Sequence, residues 1–359
     1  MKMYTPKYTI PDEINYNLEE IERIRYRIER QLIMPKHEEW LRREAFMRTA
    51  YSSTMVENAT ISQGEMEKAV KAYSPTEIPK DRLDVTNYVR ALSFVDYLSD
   101  STDTGIPILN EGTILQIHWQ LMSGIHDTHF LPGKYRVEPN WIEDQGIRVY
   151  EPPSHIDVPI LMREFSEWLM AKEQQSPVIS AGIAHLHLVA IHPFVDGNGR
   201  TARLLATLLL QKAGYGFRKL LSLDAYYQRN RDEYINALRD SLGTTYNPEY
   251  DSTKWLDFFT GSIIWQSETL ERRLTDWRIG VEQIHKDWKP TGLNDRQIDG
   301  IIYTGKKGYL TRKDYAEIAN VSLITASRDI AAMVKAGLLK PEGKARNLKY
   351  TLIAKKANS

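Results

Sequence analysis

The sequence predicts a mainly α-helical chain with one small β-hairpin and, at its C-terminal end, a compact module of three helices and a second hairpin. Three observations carry that reading. Apolar residues recur every three or four positions through most of the 359 residues, the spacing of one helix face. Strand patterning in the body is confined to residues 135–153. The charge also changes sign along the chain: residues 290–359 hold 13 Lys/Arg against 6 Asp/Glu, a net of +7, and the other 289 residues hold 34 against 41, a net of −7.

The elements follow in order. Ile14, Leu18, Ile21, Ile24, Ile28 and Leu32 line one face of a first helix, and Pro35 is expected to end it. HEEWLRREAFMRTAYSSTMVEN, 37–58, is a second helical segment, and further helical patterns occupy 80–100, 111–124, 156–173, 178–191, 200–212 and 227–242. In YRVEPNWIEDQGIRVYEPP, Trp141-Ile142 and Ile147-Arg148-Val149-Tyr150 flank Asp144-Gln145-Gly146, which reads as a hairpin closed by Pro152-Pro153. WKPTGLND, 288–295, breaks the helical pattern where the charge changes sign and reads as a domain boundary. Beyond it come a helix capped by Asn294 with Gln297 in the reciprocal position, a helix opening at Thr311, a helix capped by Ser322, and two strand-like runs around Pro341-Glu342-Gly343-Lys344.

Composition narrows the function. The 47 basic and 47 acidic side chains cancel, so the whole chain is neither a nucleic-acid coat nor a membrane-surface protein. With no cysteine there is no disulfide, thiolate metal site or cysteine nucleophile, which fits a reducing, cytoplasmic location. The start lacks an apolar signal core, and no apolar run approaches the ~18 residues of a membrane span.

The chemistry concentrates in HPFVDGNGRTAR, 192–203, directly after an apolar helix. Pro193 stops that helix, and Gly197 and Gly199 permit positive φ and close backbone approach. A Gly-rich turn opening the next helix presents unpaired N–H groups and a positive dipole end, which suits phosphate. Arg200 and Arg203, three apart, share a helix face and can fork onto one anion. Asp196 can hold a bridging Mg2+, and His192 can act as a general base. An EF-hand loop counted from Asp196 would need Gly and Glu where Thr201 and Thr207 stand, and no Gly-Lys-Ser/Thr follows to make a P-loop.

This stretch resembles the Fic (filamentation induced by cAMP) signature, His-x-Phe-x-Asp/Glu-Gly-Asn-Gly-Arg-x-x-Arg, at every defined position. The resemblance implies a Fic-type helical bundle in which the 135–153 hairpin is the flap; separately, the order of three helices and a basic hairpin at the C-terminal end resembles a winged helix-turn-helix over roughly 294–353. The Fic resemblance implies transfer of AMP from ATP to a Ser, Thr or Tyr hydroxyl of an unknown target protein or of the chain itself. On that likeness His192 deprotonates the hydroxyl, Asp196 binds Mg2+, and Gly197, Asn198 and Gly199 form the anion hole. Arg200 and Arg203 hold the β- and γ-phosphates, and Phe194 anchors the loop. Trp141, Ile142, Ile147 and Val149 of the flap would dock the target by strand addition, while Tyr234 and Asn236 are candidates for the adenine and ribose pocket, Tyr234 being equally suited to the core. SSTMVEN, 52–58, resembles the Fic inhibitory motif through Ser53, Glu57 and Asn58, with Glu57 expected to pair with Arg203 and exclude the γ-phosphate. The expected organisation is an N-terminal helical region carrying the inhibitory helix (1–106), the Fic core with trailing helices (107–289) and the winged-helix domain (290–359).

Ser327, Arg328 and Lys335 on the third C-terminal helix, and Lys340, Lys344, Arg346 and Lys349 around the hairpin, fit contact with DNA phosphates, but winged helices also dock proteins. His185 and His187, about 200° apart on a helix, cannot share a metal; these two, with His126 and His129, read as satisfied or surface histidines. The likeness implies a homodimer. It leaves open removal of AMP, another nucleotide or phosphate donor, and a nucleotide-sensing, DNA-binding transcriptional regulator.

Overall fold

A computed structural model describes residues 4–31, 33, 35–57, 80–101, 109–124, 131–144, 146–171, 176–288, 292–343 and 348–353. The chain divides into two compact units, Met1–Glu29 with Arg43–Leu270, and Arg30–Arg42 with Glu271–Ser359.

The first unit is mainly helical, and the helices Pro35–Val56 and Thr253–Trp288 also carry residues of the second unit. Helices α1 (Asp12–Glu29), α2 (Pro35–Val56), α3 (Lys80–Asp100) and α4 (Glu111–Met122) precede a two-stranded sheet of β1 (Ile142–Asp144) and β2 (Ile147–Tyr150). Then come α5 (Val158–Met170), α6 (Pro177–Ile191), α7 (Asn198–Lys212), α8 (Leu223–Arg229), α9 (Arg231–Leu242) and α10 (Thr253–Trp288). Ile14, Ile21, Ile24 and Ile28 are buried on α1, as their spacing predicts. Pro35 does not end that helix. The helix stops at Glu29 and Pro35 opens α2, because the first helical position needs no N–H and suits proline's fixed φ.

α6 is apolar nearly all round and, from Val178 to Ile191, every residue but Ser180 is buried, so it forms the centre of the unit. α7 packs along it, and Gly182 lets α10 approach: a Cβ there would lie 2.8 Å from Leu256 Cδ2. Val85, Tyr88, Leu92, Ile117, Leu121, Leu204 and Leu208 close a core shared by α3, α4 and α7. The single pattern read over 227–242 is two helices broken at Asn230, and the regular helix over 253–288 went unread although Trp255, Leu256, Phe259, Ile263, Leu270 and Leu274 recur at helical spacing and are buried.

The predicted hairpin is present, antiparallel, with Ile142 opposite Tyr150, Asp144 opposite Ile147, and a register shift between Ile142 and Glu143. Gly146 turns it at φ 77°; Gln145 lies outside the described residues.

In the second unit, α11 (Asp295–Lys307), α12 (Arg312–Ile318) and α13 (Leu323–Lys335) precede an antiparallel pair, β3 (Leu339–Glu342) and β4 (Lys349–Leu352). Asn294 with Gln297 and Thr311 with Asp314 form reciprocal capping boxes, and the Ser322 side chain accepts from the Thr325 N–H. Ile301, Leu310, Tyr315, Ile330 and Met333 form its core. Lys344 and Arg346 lie outside the described residues. Among the described residues, no helix is long and apolar enough to cross a membrane.

Candidate functional site

The loop between α6 and α7 is held from several sides. α6 ends on His192, which takes a left-handed conformation at φ 50°. Phe194 turns inward, fully buried, and stacks on the His118 imidazole at 3.7 Å with 3° between the rings. The Asn198 side chain closes the loop on itself: the Phe194 N–H donates to Oδ1 at 2.9 Å, and Nδ2 donates to the Phe194 carbonyl at 2.9 Å. His118 adds a clamp from α4. The Gly133 N–H donates to its Nδ1 at 2.9 Å, so the imidazole is the neutral Nε2–H form and donates to the Asp196 carbonyl at 3.0 Å. Arg136 staples the loop to the hairpin base, donating from Nε to the His192 carbonyl at 2.9 Å and from Nη2 to the Pro153 carbonyl. Its own N–H donates to the Pro193 carbonyl.

Gly197 caps α7 with φ 77°, where any other residue is strained, and a Cβ there would meet Met122 Sδ at 2.9 Å. Gly197→Ala is therefore expected to destabilise the protein by about 1–2 kcal/mol or more, read as a lowered melting temperature. Gly199 has no positive φ. Its lack of a side chain matters for space, since a Cβ would sit 2.8 Å from Glu57 Oε1 and 3.2 Å from Arg203 Nη1.

The first turn of α7 faces two arginines. Arg200 is buried and lies 3.4 Å from both Asp84 and Asp196, and its enclosed Nε has no partner among the described residues. Arg203, whose side chain is 1% exposed, is gripped on two edges. Nε donates to Asp224 at 2.8 Å and to Ser53 Oγ at 3.0 Å; Nη2 donates to Glu57 at 2.8 Å and to the Ser53 carbonyl at 3.2 Å. Burial works against the Glu57 charge, but Arg203 and Arg200 outweigh it and hold the carboxyl below its usual range. Burial raises Asp224, enclosed at 1% exposure, against the pull of Arg203.

Burial likewise pushes His192 down to about 4, with Arg136 adding to the shift and the Val189 carbonyl, Glu57 and Asp196 opposing it. His118 is also lowered to about 4 by burial. A base whose folded pKa lies below its unfolded value takes up a proton more readily once unfolded. Stability is accordingly expected to be full above about pH 6.5 and to fall as the pH drops toward 4, measured by thermal melts across that range.

The fold thus gathers Ser53, Glu57, His192, Asp196, Gly197, Asn198, Gly199, Arg200 and Arg203 around one helix end. Asn198 sits there with its side chain committed to Phe194, so it faces the anion position through its backbone alone. Asn58 lies outside the described residues, as do His126 and His129. Tyr234 is buried, stacked on Tyr227 at 4.7 Å, with its hydroxyl 3.3 Å from His185 Nε2; Asn236 is exposed on the same helix. Trp141 and Ile147 on the hairpin are exposed, and Arg148 lies over the Trp141 ring at 3.9 Å. His187 is buried, stacked on Tyr4 and bonded to the Tyr250 hydroxyl, and His185 is stacked on Trp255. Four contributors escaped the sequence reading as charge and loop partners: Asp84, His118, Arg136 and Asp224. Only Arg136 had a signal, the neighbouring Gly133-Lys134-Tyr135.

Among the described residues no cluster of three His, Cys, Asp or Glu could hold a metal by itself. Asp196, 63% exposed beside the helix end, suits a Mg2+ that takes one protein carboxylate and completes its shell on phosphates.

Residues 108–210 match the Fic/DOC family model. The chain is 30% identical over 178 residues to the protein adenylyltransferase Fic of Nematostella vectensis, covering 48% of this chain and 39% of that protein. Identity to the Drosophila virilis protein of the same name is 30% over 177 residues, covering 48% and 34%. The chain therefore spans well under half the length of these curated relatives. In fold it is similar to a Fic family protein from Desulfovibrio desulfuricans G20, with TM-score 0.64, 23% identity, and 99% and 100% of the two chains covered. It is also similar to residues 134–508 of Fic-1 from C. elegans, with TM-score 0.56, 21% identity, and 73% and 72% covered.

Proposed function

We propose that the protein is an adenylyltransferase, moving AMP from ATP to a hydroxyl of a protein substrate, and that Glu57 restrains it, a reading supported by the match of residues 108–210 to the Fic/DOC family model. One observation carries the reading: a histidine held neutral stands in the loop that opens α7, and both arginines of that helix act on one carboxylate, Glu57, which bonds Arg203. The triphosphate lies along the first turn of α7, its charge met by backbone N–H groups, Arg200 and Arg203. A substrate Ser, Thr or Tyr oxygen attacks the α-phosphorus in line, the bond to the β-phosphate oxygen breaks, and pyrophosphate leaves. The hydroxyl proton passes to His192. Asp196 would hold Mg2+, which neutralises phosphate charge when bound. The hairpin, stapled to the loop by Arg136, offers backbone on which a target segment adds as a strand.

Ser53 and Glu57 hold Arg203 on the edge that would meet the terminal phosphate, so bound ATP must displace Glu57. The C-terminal unit, with its basic residues around α13 and the β3–β4 pair, serves as a docking module for DNA or protein, and the active assembly is a homodimer. Labelled ATP incubated with the Glu57→Gly protein and a native lysate, with His192→Ala as control, tests the central claim. Labelling that depends on His192 supports it. Absence of label together with absence of ATP uptake in calorimetry sinks it.

A further inference from the structure

Arg203 lies between two carboxylates of opposite character. Glu57 closes the last turn of α2, is 41% exposed, and bonds Nη2. Asp224 sits in the first turn of α8, is 1% exposed, and bonds Nε. The Tyr88 hydroxyl backs the same Asp224 oxygen at 3.4 Å. One edge of the guanidinium is therefore tied inside the protein, and the Nη edge is turned toward Gly199 and the opening of α7.

We propose that Asp224 is the positioning residue of the terminal-phosphate arginine: it keeps the Arg203 fork aimed at the anion position, and its charge balanced, after Glu57 has left. The claim rests on the adenylyltransferase reading for its functional side, and on geometry alone for its structural side. A guanidinium has a planar set of donors, so anchoring Nε fixes the direction of both Nη groups. A buried guanidinium without any counter-charge is strongly destabilising, whereas one deprived of only its exposed partner is not. Glu57 can therefore be exchanged for phosphate without loss of the fold, and Asp224 takes no part in that exchange. Asp224 touches no reacting atom, so its effect falls on donor binding rather than on the chemical step.

The test compares the full-length wild type, Glu57→Gly, Asp224→Asn and the double variant by thermal melting and by steady-state transfer from ATP. Asparagine keeps an oxygen for Nε but removes the charge. Glu57→Gly alone is expected to shift the melting temperature by only a few degrees. Added to Asp224→Asn, the same change is expected to lower it by roughly 10 °C more than the two single effects summed, because Arg203 then has no counter-charge. In the Glu57→Gly background, Asp224→Asn is expected to raise the KM for ATP about tenfold while kcat changes less than threefold. Additive melting shifts would overturn the positioning role, as would an unchanged KM in a Glu57→Gly protein that does bind ATP. If that parent took up no ATP, the functional reading would fall by itself, and the melting cycle would still decide whether Asp224 holds Arg203.

Discussion

His192→Ala is expected to lower AMP transfer about 10²–10⁴-fold in the Glu57→Gly background, the range contributed by a positioned general base. The structure gives the reason to expect a loss in kcat rather than in folding. The backbone of the loop is held by the Asn198 side chain, by His118 and by Arg136, and none of these bonds uses the His192 imidazole. ATP affinity is expected to stay within a few-fold, since the phosphates meet N–H groups and arginines. Because burial puts the imidazole at about 4, it is already neutral from pH 6 to 8, so this group imposes no titration on the rate in that interval. Stopped label incorporation and an ATP isotherm measured on the same preparations separate the two effects. An alanine variant that transfers AMP at the parent rate would remove His192 from the chemistry.

Glu57→Gly is expected to raise ATP affinity by about 10–150-fold, and self-labelling with it. A hydrogen bond between charged partners contributes about 1.5–3 kcal/mol, and each 1.4 kcal/mol is about a tenfold change in affinity. ATP must give back that contact to reach Arg203 in the wild type. The pair is 41% exposed on the Glu57 side, so solvent weakens it and the lower part of the range is the better guide. The cost to stability is small for the same reason. Calorimetric titration of ATP with Mg2+ into both proteins measures the gain directly, and equal affinities would dismiss Glu57 as a restraint.

Much of the fold was legible because its signals are local. The Asn294, Thr311 and Ser322 caps are satisfied within three residues of themselves, so their spelling suffices. The hairpin around Gly146, the apolar stripe of α1 and the apolar run of α6 are local in the same sense. Pro35 misled because a proline both stops and starts helices, and which it does depends on where the preceding helix has already ended. The resemblance placed Asn198 in the anion-hole turn without saying how its side chain is used; the loop claims that side chain, through the position of the Phe194 backbone. Tyr234 fell in an aromatic cluster around Trp255, where stacking partners come from three helices.

By itself, the sequence determined which reactive groups are brought close together: HPFVDGNGRTAR spells histidine, carboxylate, Gly-rich turn and two arginines within twelve residues. The tertiary structure alone decided how those charges are balanced. Arg203 meets Glu57 across 146 residues, Asp224 across 21 and Ser53 across 150, and Arg200 meets Asp84 across 116. The physical reason lies in distance. Caps and turns complete their bonds with near neighbours, but a buried guanidinium finds its counter-charge wherever packing brings a carboxylate within reach, and no local pattern records that partner.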